Sequence, residues 1–296
     1  MNYLPTIKQG ITDNNLPNEV GQLLSAFNNF DLKEHIKKTG IKKSAALISK
    51  AARIGEKIDL QEIEKETLQT VQKIQPNIKI KKFPFYFIYA GSGTDAKSFG
   101  GTAVVINLGY YAAQLKGAIK TNNKVPKTVR DQILAASIHE GVHVFLNQLG
   151  LSWKHSNQDE IWNIIWEDGL ATYMEPTHFG PSTDYYSENN FWLVIISKWL
   201  DAKEDSKRKK VIYEALKSKV MKKIGQRQIQ AAISSLKRGV KPEDIFTDLL
   251  FVSNGPAYHI GRFLWERELA KGKSLHELVE EGSSKVTGWI KHIPST

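Results

Sequence analysis

Residues 139–143 read His-Glu-Gly-Val-His, and the stretch around them has the pattern of a helix. Leu134, Ile138, Val142, Phe145 and Leu149 recur at helical spacing and define a core stripe. A polar turn, Lys120-Thr121-Asn122-Asn123, precedes them, Pro126 suits a first turn, and Gly150 is placed to stop the helix. At helical pitch His139 and His143 lie one turn apart on one face, with Asn147 continuing the same stripe. Gly141 is a poor interior residue, at a cost of about 1 kcal/mol relative to Ala, so a small residue there implies close approach by another backbone or by a substrate.

Two imidazoles at that spacing can reach one metal ion, and Glu140, rotated by about 100° from His139, flanks it. The HExxH arrangement is that of zinc peptidases: two histidine ligands, and a glutamate acting as general base on a metal-activated water. A catalytic zinc usually takes a third protein ligand. The longer HExxHxxGxxH form is absent, because Leu146 and Leu149 occupy the positions of its glycine and third histidine. Glu167 is the expected ligand. It lies in Ile161-Trp162-Asn163-Ile164-Ile165-Trp166-Glu167-Asp168-Gly169-Leu170-Ala171-Thr172-Tyr173, apolar on almost every side and therefore read as a buried helix. Buried carboxylates need a cation or dense hydrogen bonding. A zinc ion would satisfy Glu167, and Asp168 could orient a ligand imidazole from behind. Glu160 is the main competitor as ligand, with His155 and His178 weaker ones.

The HExxH pentapeptide followed by Glu167 in an E-x-G-L-A-x-Y setting resembles the gluzincin side of the zincin metallopeptidases. It is most similar to bacterial predicted zinc-dependent protease families that carry HExxH, an EGLA-like segment and a GYxxG-like segment. The last has a counterpart in Gly255-Pro256-Ala257-Tyr258-His259-Ile260-Gly261. The resemblance covers roughly residues 100 to 285 and implies His139, His143 and Glu167 as ligands, with Glu140 as base. This chain departs from the pattern at Asp168, where a glycine is usual, and at Ala257, where a glycine often precedes the tyrosine.

The expected chemistry is zinc-dependent hydrolysis, most naturally of a peptide bond in a peptide or protein substrate. Tyr258 or His259, at the start of a C-terminal helix, would stabilise the oxyanion, with Tyr173, Tyr185 and Tyr186 in reserve. The alternative is a zincin-fold binding protein without turnover. The net charge of +10 is spread as small lysine clusters over helices, with no recognised nucleic-acid motif, so no nucleic-acid partner is expected and only weak attraction to anionic surfaces. No apolar run approaches the length of a membrane span. A soluble protein is expected, cytoplasmic or exported with its leader removed. Without cysteine there is neither a disulfide nor a thiolate ligand.

The expected fold class is α+β and predominantly helical, zincin-like, with a small sheet beside the HExxH helix. Residues 1–76 form an N-terminal helical region, and 77–296 the catalytic domain with a helical C-terminal half. Phe83 to Ala90 and Thr102 to Asn107 read as strands, and Gly91-Ser92-Gly93-Thr94 between them as a turn or mobile loop. Ala103 to Asn107 is either the sheet edge that would hold substrate or, from its Val104-Val105-Ile106 run, a buried central strand.

Overall fold

Helix predominates, and the strands come from one short stretch of chain. The structure, a computed structural model, describes residues 32–99, 101–115, 126–151, 160–176, 185–218, 226–251 and 256–291. The chain divides into two compact units: Met1–Ser152 with Met174–Pro176, and Trp153–Tyr173 with Thr177–Thr296. The expected boundary after residue 76 does not coincide with this division, since the helices before it and the sheet after it share a unit.

The first unit opens with helices α1 (Leu32–Thr39), α2 (Ile41–Lys57) and α3 (Leu60–Gln72). Asp59 caps α3 by accepting the N–H groups of Gln61 and Glu62. Three strands follow: β1 (Phe85–Ile88), β2 (Ala96–Phe99) and β3 (Ala103–Asn107). The sheet order is β1-β3-β2, with β1 parallel and β2 antiparallel to β3. Every residue of β3 is buried. Of the two sequence-based readings of this strand, the central one therefore holds and the substrate-edge one is corrected: β3 is hydrogen-bonded on both sides. Side chains alternate as the pleat requires. Phe85, Phe87, Val104 and Ile106 enter the main core of the unit, whereas Ile88 and Val105 form a smaller cluster with Tyr86 and Phe99.

Asn107 ends β3 and organises its surroundings. Its side-chain oxygen accepts from the N–H groups of Ala90 and Gly109, capping α4 (Leu108–Gln114). Its amide donates to the carbonyls of Gly91 and Thr94, which holds the expected turn between β1 and β2. The histidine helix, α5 (Lys127–Gln148), then runs to Gly150, whose φ of 71° ends it. The N–H of Leu151 reaches back to the Leu146 carbonyl at 2.9 Å, closing the helix by a Schellman motif. Gly141 packs against α3. A Cβ there would stand 2.9 Å from the Thr67 methyl and 3.3 Å from that of Val71, so the small residue admits a neighbouring helix, not a substrate.

The second unit is helical among its described residues. It comprises most of α6 (Glu160–Met174), then α7 (Tyr185–Asp201), α8 (Asp205–Lys217), α9 (Gln226–Lys237), α10 (Pro242–Phe251), α11 (Pro256–Ala270), α12 (Leu275–Glu281) and α13 (Val286–Lys291). The C-terminal helices expected from periodicity are present. Helix α6 runs unbroken through Gly169, where it crosses α11: a Cβ on Gly169 would stand 2.5 Å from the Cα of Gly261. Next to the crossing, Trp265 donates its indole N–H to the Trp166 carbonyl at 2.9 Å. Among the described residues no helix is long and apolar enough to cross a membrane.

Candidate metal centre

Helix α5 is almost wholly internal around the motif. Ser137, Ile138, Gly141, Val142, Val144, Phe145 and Leu146 are buried. In the same stretch His139, Glu140 and His143 are the partly exposed positions. The core thus grips the helix by its other faces and leaves the three polar groups of HExxH partly exposed. The two imidazole rings lie 5.0 Å apart, centroid to centroid, at 64° to one another.

His139 is oriented from behind. Its Nδ1 lies 2.8 Å from Oε1 of Glu175, within hydrogen-bond distance. A carboxylate on Nδ1 fixes the donor tautomer there and leaves Nε2 as the nitrogen able to bind a metal. Glu175 was not singled out from the sequence. A local signal did exist: it is an acid immediately after an apolar helix, followed by Pro176, and seven residues beyond Asp168.

One group of side chains among the described residues could hold a metal ion. It consists of His139, His143 and Asp168, whose ligand atoms all lie within 4.8 Å of one another. Two imidazoles and a carboxylate are a donor set that suits zinc. The carboxylate in this group is Asp168, expected to stand behind a ligand, and not Glu167, expected to be one. Glu167 is buried, 6% exposed, whereas Asp168 is partly exposed.

The remaining candidates fall as follows. Tyr258 and His259 lie in the first turn of α11, Tyr258 partly buried and His259 exposed. Tyr173 is partly buried near the end of α6. Glu160 begins α6, and Tyr185 and Tyr186 begin α7, but their side chains lie outside the described residues, as do His155, His178 and Gly255 altogether. Asn147 continues the polar stripe as an exposed residue and donates to the Gly101 carbonyl at 2.9 Å, a link between α5 and the β2–β3 turn.

No family model matches the chain, and neither a curated protein nor a solved structure matches it.

Proposed function

We propose that this protein is a zinc-dependent hydrolase acting on peptide bonds, with His139, His143 and Asp168 as metal ligands and Glu140 as general base. The observation that carries the proposal is the joint exposure of His139, Glu140 and His143 on an otherwise buried helical segment, with a carboxylate able to complete the ligand set. A divalent metal bound there would lower the pKa of water and polarise a carbonyl. Glu140 would take the proton of the attacking water and return it to the leaving amine. Glu175 would hold the His139 ring in its ligating tautomer. Tyr258 is the proposed oxyanion donor, with His259 in reserve. The resemblance to gluzincin-type zincins supports the peptide as substrate. So does a sheet in which β2 ends the strand order, where an extended chain could add by backbone pairing. The partial exposure of Glu140 favours turnover over a purely binding role.

Metal analysis of the purified chain tests the proposal. About one zinc per chain is expected, lost in His139→Ala and in His143→Ala. Asp168→Ala should weaken zinc binding much more than Glu167→Ala, and the reverse order would transfer the ligand role to Glu167. A wild-type chain that binds no zinc, or one whose zinc survives both histidine substitutions, would overturn the reading.

A further inference from the structure

Helices α3 and α5 end together. Near their starts Arg130 of α5 pairs with Glu62 and Glu66 of α3 at 3.0 and 2.6 Å, and further along Gly141 lies against Thr67 and Val71. The helices therefore run side by side in one direction, and Gln72 and Gln148 are their last residues at one end of the first unit. Two side-chain amides fold the chain after α3 onto that end. Gln72 donates to the carbonyls of Gln75 and Ile78, at 2.7 Å each, and accepts the N–H of Ile80 at 3.4 Å. Gln148 accepts the N–H of Lys81 at 3.2 Å and donates to its carbonyl at 2.8 Å.

This end is basic and apolar at once. Lys73, Lys79, Lys81 and Lys82 are all exposed. The sequence has no Asp or Glu from residue 67 to 94, nor from 141 to 151. Lys73 is the C-cap of α3, where the helix dipole favours a cation, but Lys79, Lys81 and Lys82 lie beyond the helix end and have no such reason to be basic. Ile78 is 43% exposed and Leu151 39%. Both are held by the backbone: the N–H of Ile78 closes a turn on the Gln75 carbonyl, and that of Leu151 returns to Leu146. A single exposed aliphatic residue is ordinary on a protein surface. Two on fixed turns, beside four lysines and no acid in either stretch, match the boundary of an anionic bilayer, where charged headgroups overlie acyl chains. A nucleic-acid strand would call for aromatic side chains on which bases stack, and the exposed apolar side chains here are aliphatic.

We propose that this end of the first unit is a docking surface for an anionic phospholipid bilayer, with Lys73, Lys79, Lys81 and Lys82 at the headgroups and Ile78 and Leu151 entering the interface. The surface contains none of the candidate metal ligands, so it stands or falls apart from the hydrolase reading. Each lysine close to such a membrane multiplies affinity about fivefold, and the four together by roughly 500-fold, well above the weak attraction of a dispersed net charge.

The test is sedimentation of the full chain with vesicles of phosphatidylcholine, alone or mixed equally with phosphatidylglycerol. Wild type should bind the mixed vesicles, ignore the neutral ones, and come off as sodium chloride is raised. Lys79→Glu/Lys81→Glu/Lys82→Glu should weaken binding by at least about 100-fold. Its melting temperature should stay at the wild-type value, because Lys81 meets Gln148 through its backbone. If it melts lower, Lys79→Gln/Lys82→Gln takes its place, with a loss of about 25-fold expected. Lys207→Glu/Lys210→Glu/Lys217→Glu, at exposed positions of α8, changes the net charge equally and should keep most of the binding. Ile78→Ser should weaken binding about three- to tenfold with the salt dependence unchanged, since apolar insertion is not screened. Equal losses in the two triple variants would show that only net charge is read and would overturn the proposal. Failure of wild type to bind the mixed vesicles, or equal binding to neutral ones, would overturn it as well. So would binding to duplex DNA in preference to vesicles, lost in the Lys79/Lys81/Lys82 variant and untouched by Ile78→Ser.

Discussion

Gly169→Ala is the substitution whose effect follows most directly from the geometry. Helices α6 and α11 cross with Gly169 against Gly261, and an added Cβ would stand 2.5 Å from the Cα and 2.6 Å from the carbonyl carbon of Gly261. Carbon atoms pack at about 3.5–4.0 Å, so the helices must part by roughly 1 Å. Neither obstacle is a side chain able to rotate away. Overpacking of this kind costs about 1–3 kcal/mol. The separation also stretches the 2.9 Å bond from the Trp265 indole to the Trp166 carbonyl, and an orphaned buried donor costs about 1–3 kcal/mol. Alanine returns about 1 kcal/mol through its higher helix propensity. The net expectation is a loss of about 3 kcal/mol. In a unit of this size each kcal/mol moves the melting temperature by about 2–4 °C, which gives a fall of roughly 6–12 °C. Thermal and urea unfolding measure it. A Gly169→Ala chain as stable as wild type would refute the close crossing, because propensity alone would then favour alanine.

Three further outcomes are expected. Glu140→Gln should retain zinc by metal analysis while peptide-library hydrolysis falls by at least about 100-fold; loss of zinc would make Glu140 a ligand instead of a base. Glu175→Gln should weaken zinc binding by about 10- to 100-fold in a chelator competition, as removal of a carboxylate behind a ligating histidine does. Tyr111 has its pKa raised in the folded chain, so the folded state holds its proton longer than the unfolded one. The contribution is fully present below the unfolded value of about 10 and is lost as pH rises above it. Tyr111→Phe should therefore shift the midpoint of alkaline unfolding upward relative to wild type, as followed by circular dichroism.

Local pattern carried much of the architecture. Helix α5 could be read from Leu134, Ile138, Val142 and Phe145, all buried as expected. Its stop at Gly150 was equally legible, because a left-handed residue followed by a back-bonded leucine is local chemistry. Strand β2 was not legible: Ala-Lys-Ser-Phe is four residues with one large apolar side chain, and it becomes a strand only because β3 offers a partner. The site divides along the same line. His139, Glu140 and His143 stand at fixed offsets on one helix and could be seen directly. Glu175 meets His139 across 36 positions, so periodicity could not register it. Glu167 and Asp168 are chain neighbours in a helix apolar on nearly all sides, and their different exposure, Glu167 buried and Asp168 partly exposed, is set by tertiary packing that periodicity does not register.

The burial of α5 around its histidines bears on what happens when a metal comes and goes. In a zinc finger the ion creates the fold, and its removal unravels the chain. Here the helix is anchored by Ile138, Val142, Val144, Phe145 and Leu146, and His139 is already braced by Glu175. The conformational entropy of presenting the two imidazoles is spent when the unit folds, before any ion arrives. A metal held at the proposed site would then come and go without exposing core surface to proteases or aggregation. The backbone amides from Ser137 to Leu146 belong among the slowest to exchange with solvent deuterium, and at the same pace in the empty and loaded protein. If the proposed metal centre forms, its empty state is therefore already a folded protein.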